Sequence, residues 1–390
     1  MADEAAIALV DGEHHPSVVR QALDRLDPVG VAFCGGSEKL PPGPLETHYG
    51  RAVRTDPEAA LRELAGSAAR VVDFADEPPH PASAKLRLAA LALSLGLDYE
   101  APGMHLRPPR YEPVPFAGPT LAVIGTGKRT GKTAMAGHLA SLLDDAVIVC
   151  MGRGGPPEPR LTEPGPSLDD LIALAERGEH AASDYLEDAL LAGVRTVGCR
   201  RLGGGLCGEP AESNVPEGAA LAASLDPGCI VFEGSGACIP PVEVDRTLCL
   251  VGNGADEPFA DYRLLRADVV LAGEGAPAPP GALRFSLRPE PATAPPDGAR
   301  VALFTTGAER CDGVDPVVVS TNLAHRAVLA EDLERAASEG CDLYLTELKA
   351  AAIDTVAREA RSRDARVAFV RNRPVGIGYD LDAELLKLVA

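Results

Sequence analysis

Short apolar runs that end in glycine turns alternate with segments of helical spacing from the start of the chain. IALVDG and VGVAFCGG predict buried strands, and HPSVVRQALDRL between them places its apolar residues on one helical face. RVVDFADE predicts a third strand and SAKLRLAALALSLGL a further helix. This alternation predicts a small α/β domain at the N-terminal end.

A proline-rich stretch, APGMHLRPPRYEPVPFAGP, follows over residues 101–119 and favours extended backbone rather than helix. We therefore predict an N-terminal α/β domain over residues 1–112, acting as a substrate lid or binding domain. The remainder, residues 113–390, is predicted to be the nucleotide-binding and catalytic domain.

The larger domain repeats the alternation of strands and helices. Apolar runs at TLAVIG, AVIVC, RTVGC, GCIVFE, ADVVLAG, RVALF, CDLYLTE and RVAFV predict strands, separated by helices such as SDYLEDALLAG and EDLERAASEG. Such a pattern is typical of a mostly parallel sheet covered on both faces. Two segments rich in proline and glycine, GEGAPAPPGALRF and RPEPATAPPDGAR, are predicted to be surface loops.

Composition narrows the class of protein. The chain has 57 acidic and 37 basic residues and a net charge of −20, which argues against a nucleic-acid partner. No apolar stretch reaches the length of a membrane span, and the acidic start MADEAAIALV does not resemble a signal peptide. The nine cysteines form no CxxC pairs, so reduced thiols are expected. We predict a cytoplasmic enzyme with no membrane partner.

The strongest motif lies between the strand LAVI and the helix AMAGHLASLL, in the loop GTGKRTGKT over residues 125–133. A glycine-rich turn from a strand into a helix N-terminus is the context of a phosphate-binding P-loop. Lys132 is expected to reach the β- and γ-phosphates of ATP, and Thr133 to bind Mg²⁺. The predicted nucleotide-binding residues are Gly125, Thr126, Gly127, Arg129, Thr130, Gly131, Lys132, Thr133 and Ala134.

A second element, CIVFEGSG over residues 229–236, ends an apolar strand in Glu233. This is the arrangement that a Walker B motif uses to hold Mg²⁺. Thr133 and Glu233 are therefore the predicted metal ligands. The loop GTGKRTGKT and the segment EGSG both resemble those of the dethiobiotin synthetase group.

Basic residues concentrate beside glycine at several strand ends. Lys128 lies in the P-loop itself, Arg153 in MGRGG, and Arg200 and Arg201 in GCRRLGGG. Loops at the carboxyl ends of parallel strands bind ligands in open α/β sheets, and Arg suits phosphate or carboxylate oxygens. The second ligand is therefore predicted to be small and strongly anionic.

The first domain offers polar residues at the same kind of position. Glu13 and His14 follow its first strand, and Lys39 follows its second. We predict that these residues contact the substrate. A metal site is not expected, because the neighbouring His14 and His15 point apart and no third ligand is evident.

Together these segments resemble one family, the cyclic 2,3-diphosphoglycerate synthetases. The resemblance is carried by LVDGEHHP, FCGGSEKL, GTGKRTGKTA, MGRGGPPEP, DYLEDALLAG, TVGCRRLGGGL and VFEGSGACIPP. It implies a P-loop NTPase fold, a homodimer, and ATP-driven closure of 2,3-diphosphoglycerate into its cyclic pyrophosphate with release of ADP and phosphate. Lys132, Lys128, Arg153 and Glu233 would then be the catalytic residues, with Arg200 and Arg201 helping to hold the substrate.

Three alternatives stay open at this point. A carboxylate ligase would share the P-loop and EGSG but would not need so many arginines. A kinase acting on 2-phosphoglycerate would release an uncyclised product. A nucleotide switch would hydrolyse ATP without any small acid. A requirement for K⁺ is also left open, since no residue indicates one.

Overall fold

The computed structural model describes residues 5–252 and 259–389 of the 390-residue chain. They divide into two compact units, residues 5–110 with 259–266, and residues 111–252 with 267–389. Each unit is built on its own sheet. No helix among the described ranges is long and apolar enough to cross a membrane.

The first unit is a six-stranded sheet with helices beside it. Its strands are β1 (Ala6–Val10), β2 (Gly30–Phe33), β3 (Val53–Arg54), β4 (Arg70–Asp73), β5 (Asp98–Ala101) and β6 (Met104–Leu106). Its helices are α1 (Pro16–Leu26), α2 (Leu45–Tyr49), α3 (Pro57–Leu64) and α4 (Ala82–Ser94), with a 3₁₀ turn at Ala65–Ser67. The strand order is β3-β2-β1-β4-β5-β6, parallel except for the pair β5–β6.

The second unit is built on a thirteen-stranded sheet. Its strands are β7 (Thr120–Gly125), β8 (Ala146–Gly152), β9 (Arg160–Thr162), β10 (Arg195–Leu202), β11 (Glu212–Ser213), β12 (Cys229–Glu233), β13 (Arg246–Val251), β14 (Val269–Gly273), β15 (Leu283–Pro291), β16 (Val301–Phe304), β17 (Val318–Ser320), β18 (Leu343–Glu347) and β19 (Arg366–Gly376). The order is β11-β10-β8-β12-β7-β13-β14-β15-β19-β18-β16-β17, with β9 paired to β10.

Helices cover this sheet. They are α5 (Lys132–Ser141), α6 (Leu168–Glu176), α7 (Asp184–Glu187), α8 (Val215–Ala223), α10 (Arg326–Ser338), α11 (Arg358–Ser362) and α12 (Leu381–Leu386), with π-helical turns at Asp188–Ala192 and Ala352–Ala357. The central strands β7 and β12 are buried along their whole length, as expected for a parallel sheet with both faces covered. The predicted α/β fold with a mostly parallel sheet is confirmed.

One helix returns to the first unit without a signal in the sequence. Helix α9 (Ala260–Leu265) belongs to the unit of residues 5–110 and packs against α4. Its side chains Tyr262 and Arg263 are buried there.

The prediction that RPEPATAPPDGAR is entirely a loop is wrong, because β15 continues as far as Pro291. Strand β15 pairs with β14 only over residues 283–285, and beyond that point β19 is its partner over residues 285–291. Alternate residues of β15 direct their backbone N–H groups toward β19, as the hydrogen bond from Ala292 N to Phe369 O (2.8 Å) shows. Pro289 and Pro291 lie between these residues, so their nitrogens point away from β19. The prolines therefore lack an N–H only on the side where no strand needs it.

The antiparallel pair β15–β19 reverses the direction of the sheet. Strands β7, β8, β12, β13, β14 and β15 run one way, and β16 to β19 run the other. Because β15 extends six residues past its pairing with β14, the carboxyl ends of these two half-sheets face each other across a gap. We call them the nucleotide half (β7–β15) and the C-terminal half (β16–β19).

Candidate nucleotide and phosphate site

The loop after β7 has the conformation of a phosphate cradle. Gly131, with φ 91°, lies in the left-handed region and caps α5, which begins at Lys132. A Cβ added to Gly125 would lie 2.4 Å from Thr130 Oγ1, so the tight turn requires glycine there. The free N–H groups of the first turn of α5 therefore face the loop, where an anion is favoured.

Lys132 is folded into this cradle. Its Nζ donates hydrogen bonds to Gly127 O (2.8 Å) and to Thr130 Oγ1 (3.2 Å), and its side chain is buried. Burial lowers the pKa of Lys132 to about 8, against the opposing effect of Glu233 and Asp184. A cation with such reduced hydration is well placed to take up phosphate oxygens.

Thr133 and Glu233 meet directly below the loop. Thr133 Oγ1 donates to Glu233 Oε1 over 2.6 Å, and Glu233 Oε2 is buried without a hydrogen-bond partner among the described residues. Burial, followed by the charge of Asp184, raises the pKa of Glu233 to about 8. A hydroxyl and an unsatisfied carboxylate oxygen side by side fit a hard divalent cation such as Mg²⁺.

Three predicted cations converge on Gly236. A Cβ added to this glycine would lie 2.7 Å from Arg153 Nη2, 3.5 Å from Arg201 Nη2 and 3.6 Å from Lys128 Cγ. Gly236 has φ 62°, so both its conformation and its surroundings exclude a side chain. The absence of a side chain here therefore leaves room for two guanidinium groups and the aliphatic stem of Lys128 to meet.

Arg201 links two segments of this cluster through the hydrogen bonds of its side chain. Its Nη2 donates to Ser235 O (2.9 Å) and its Nη1 to Gly203 O, so it ties two glycine loops together. Burial, together with Arg153, lowers the pKa of the Arg201 guanidinium. Arg200, its neighbour, is exposed and does not line the cavity described next, while its backbone N–H donates to Asn214 Oδ1.

A cavity of about 640 Å³ joins these elements. It lies in the gap between the facing half-sheets and is lined from both of them. The nucleotide half contributes residues 128–134, 152–154, 180, 182–184 and 233–236, with Leu287 of β15. The C-terminal half contributes Thr306, Gly307, Ala308, Glu347, Lys349 and Asn372.

The acidic segment around α7 was not predicted to belong to the site. Asp184 lines the cavity, and its charge acts on Lys132 and Glu233. Glu187 is buried, and burial raises its pKa to about 7. Asp188 accepts a hydrogen bond from Cys150 Sγ at 3.3 Å, and burial followed by the charge of Glu233 raises its pKa well above the usual value.

The C-terminal half supplies a second hydrogen-bond network, which no sequence motif predicted. Glu347, at the end of β18, accepts hydrogen bonds from Thr306 N and Thr306 Oγ1 (both 2.7 Å) through Oε2. Its Oε1 accepts from Asn372 Nδ2 (3.1 Å). Burial alone would raise the pKa of Glu347, but Lys349 and these hydrogen bonds outweigh it and lower the pKa.

The predicted residues of the first unit lie together at the carboxyl ends of β1 and β2. His14 Nδ1 is 2.8 Å from Asp11 Oδ1, and Glu13 Oε1 accepts from Ser37 N (3.1 Å). Lys39 pairs with the adjacent Glu38. These contacts order the two loops.

The same unit holds a buried carboxylate that the sequence did not single out. Asp73, at the end of β4, accepts hydrogen bonds from Lys85 Nζ (3.0 Å) and the Tyr99 hydroxyl (2.5 Å), with His80 Nε2 at 3.2 Å. Burial would raise the pKa of Asp73, but these partners, His80 first, lower it. The apolar run RVVDFADE predicted the strand but did not indicate these partners of Asp73.

Family comparisons cover nearly the whole chain. The N-terminal, P-loop and C-terminal domain models of cyclic 2,3-diphosphoglycerate synthetase match residues 5–107, 120–275 and 292–373. The cyclic 2,3-diphosphoglycerate synthetase of Rubrobacter xylanophilus is 44% identical over 97% of this chain and 96% of that protein. The one from Thermococcus onnurineus is 37% identical over 98% of each.

Among solved structures, LpxK from Aquifex aeolicus in complex with ATP is similar at 18% identity and a TM-score of 0.43, covering 72% of this chain and 89% of that one. The full-length relatives and the three domain models agree, and the chain belongs to the cyclic 2,3-diphosphoglycerate synthetase family.

Proposed function

We propose that this chain uses ATP to close 2,3-diphosphoglycerate into its cyclic pyrophosphate, releasing ADP and phosphate. The observation that carries the proposal is that a P-loop and a separate cluster of basic groups lie beside each other at one cavity. A substrate with two phosphates and a carboxylate needs such a cluster, because the protein as a whole has a net charge of −20.

The ATP side is assigned to the P-loop. Residues 125–134 would surround the phosphates with backbone N–H groups, and Lys132 would bind the β- and γ-phosphates. Thr133 and Glu233 would hold Mg²⁺, with Asp184 as a third candidate ligand in the same cavity. When bound, Mg²⁺ would neutralise charge on the phosphates.

The substrate side is assigned to the basic cluster. Lys128 and Arg153 would hold the two phosphates of the substrate, and Arg201 would position the loops that carry Ser235 and Gly236. Two phosphates forced together at about 4 Å repel strongly unless cations surround them. Catalysis is then mainly positioning and charge neutralisation.

The chemistry has two balanced steps. An oxygen of one substrate phosphate attacks Pγ of ATP, and the bond from Pγ to the oxygen of ADP breaks. An oxygen of the other substrate phosphate then attacks the activated phosphorus, and inorganic phosphate leaves with the electron pair of the cleaved P–O bond. No general base is required, because the attacking phosphate oxygens are already ionised at neutral pH.

The test is ³¹P NMR of the protein with ATP, Mg²⁺ and 2,3-diphosphoglycerate. We expect new upfield pyrophosphate resonances distinct from ADP, with one ADP and one phosphate formed per cyclic product. The variant Lys132→Met is the control and should form none. ATP consumption without these resonances would contradict the proposal, and an uncyclised phosphorylated product would favour a kinase instead.

Further features of the protein are proposed as well. Glu13, His14 and Lys39 of the first unit are proposed to contact the substrate, and that unit to act as a substrate lid or binding domain. A homodimer is proposed from the family resemblance, and a requirement for K⁺ stays open because no residue indicates one. Arg200 is exposed and does not line the cavity, so we assign the substrate contacts of the basic cluster to Lys128 and Arg153 instead.

A further inference from the structure

Lys349 lies on the wall of the cavity that belongs to the C-terminal half. It follows β18 by two residues, and its side chain lines the same cavity as Lys132 and Thr133 of the P-loop. The facing of the two half-sheets therefore brings a third lysine, from a distant part of the chain, to the cavity that Lys128 and Lys132 also line.

The backbone around Lys349 is held in an uncommon conformation. Ala350 has φ 48°, in the left-handed region that is unfavourable for a residue with a Cβ. The flanking Leu348 and Ala351 are buried in the core of the unit. Core packing thus fixes the turn, and the turn directs Lys349 out of the core into the cavity.

Lys349 is not saturated by its neighbours. Its Nζ lies 3.6 Å from Glu187 Oε1, an ion pair longer than a normal hydrogen bond, and this is its one ion pair among the described residues. Its side chain is 34% exposed, whereas that of Glu187 is 7% exposed. Glu347, two residues away, is already satisfied by Thr306 and Asn372.

The surrounding charges keep Lys349 protonated. Glu187 first, and then Glu347, Asp184 and Glu233, raise its pKa, and this effect exceeds the opposing effect of burial. Lys132, across the cavity, has its pKa lowered. The cavity is therefore lined by Lys128 and Lys132 of the P-loop and, from the C-terminal half, by a charged Lys349.

We propose that Lys349 binds a phosphate oxygen of the anionic substrate, from the wall opposite the P-loop, and is a catalytic residue of this site. The inference rests on the proposed function for the identity of that substrate. A cation on this wall would offset the repulsion between the substrate phosphate and the γ-phosphate held by Lys132. The loops of the nucleotide half offset that repulsion from one side only.

The competing role is structural, with Lys349 serving only to neutralise the buried Glu187. Three variants separate the two roles: Lys349→Met, Glu187→Gln, and the double variant that carries both changes. Binding of 2,3-diphosphoglycerate in the presence of ADP and Mg²⁺ is measured by calorimetry for each, together with the affinity for ATP and the rate of cyclisation.

If Lys349 binds substrate, Lys349→Met should weaken binding of 2,3-diphosphoglycerate by about 10- to 100-fold, the range for a charged hydrogen bond. The affinity for ATP should change by less than about threefold. The double variant should remain as weak as Lys349→Met, since removing Glu187 supplies no cation. Lys349→Arg should recover part of the loss.

Recovery of near wild-type binding in the double variant would overturn the proposal, because it would show that Lys349 only balances Glu187. Equal binding by the wild type and Lys349→Met would also overturn it. A wild type that binds 2,3-diphosphoglycerate tightly yet forms no cyclic product would refute the proposed function alone, and the Lys349 comparison would still stand on the binding data.

Discussion

Glu233 and Lys132 are buried together in a site that we propose binds the charged phosphates of ATP and a divalent cation. Burial moves both pKa values toward each other, to about 8 from either side. In the free protein, burial therefore favours the neutral form of both the Glu233 carboxyl and the Lys132 amine. Binding of phosphate and a divalent cation would supply the charges that stabilise the ionised forms of both groups.

This arrangement predicts how stability changes with pH. Glu233 keeps its proton in the folded protein up to about pH 8, whereas in the unfolded chain it ionises above its ordinary pKa of 4.5. Between these values the folded state binds more protons, so raising the pH favours unfolding through this group. Relative to Glu233→Gln, the wild type should lose about 1–3 kcal/mol of unfolding free energy between pH 5 and pH 8.

Denaturant unfolding of both proteins without nucleotide, at the two pH values, measures this difference. Glu187, whose pKa is also raised, is present in both proteins. A wild type and a Glu233→Gln variant whose stabilities differ by the same amount at pH 5 and pH 8 would show that Glu233 is not protonated in the free protein.

Arg153 and Arg200 form a matched pair for testing the basic cluster. Both are exposed arginines, Arg153 just after β8 and Arg200 within β10 near its carboxyl end, but only Arg153 lines the cavity and approaches Gly236. Arg153→Ala should lower kcat/KM for cyclisation by about 10- to 100-fold, the loss expected for a charge-assisted hydrogen bond. Arg200→Ala should change it by less than about threefold.

Steady-state kinetics of the two variants, with melting temperatures as a check on folding, decide this point. If the two substitutions have equal effects, the cavity wall described here is not where the substrate binds.

At the scale of elements, the short helix α7 depends on close packing against β10. A Cβ added to Gly198 in β10 would lie 2.8 Å from Cδ1 and Cγ of Tyr185, which α7 carries next to Asp184. Gly198→Ala should therefore displace α7, cost about 1–3 kcal/mol of stability through overpacking, and weaken binding of ATP with Mg²⁺.

Gly66→Ala is the control, because an added Cβ there meets nothing within 4 Å. It should change stability by less than about 0.5 kcal/mol. Thermal unfolding and nucleotide titration of both variants provide the measurement, and a Gly198→Ala protein as stable as Gly66→Ala would exclude the packing account.

Elements with local signals were predictable from the sequence. The strand, glycine loop and helix around residues 120–141 are specified by nearby residues, and so is the strand that ends at Glu233. Strand β15 was missed, because its prolines are tolerated only where the sheet order leaves one edge unpaired. Sheet order is a property of distant pairings, and no local pattern encodes it.

For the same reason only part of the candidate site could be predicted. The P-loop and Glu233 belong to motifs with a fixed spacing. Asp184 and Lys349 reach the cavity because a short helix and a reversed half-sheet bring them there. Their own neighbours in sequence, DYLEDALLAG and LTELK, resemble any amphipathic helix or strand end.

At the scale of the whole molecule, the reversal at β15–β19 gives the second unit its site. Ordinary open α/β sheets bind ligands beyond one row of carboxyl ends. Here two such rows face each other, so one half can hold ATP while the other contributes Lys349 and a hydrogen-bonded loop. This arrangement explains how a protein with a net charge of −20 can bring two polyanions into contact.

The central claim is that the γ-phosphoryl group of ATP is transferred to a substrate phosphate before the ring closes. The most direct test is cyclisation of 2,3-diphosphoglycerate labelled with ¹⁸O in the nonbridging oxygens of both phosphates, with unlabelled ATP in unlabelled water. Transfer followed by displacement leaves one substrate oxygen on the departing phosphate, so each inorganic phosphate should carry one ¹⁸O by mass spectrometry. Inorganic phosphate without ¹⁸O, formed alongside cyclic product, would contradict the account.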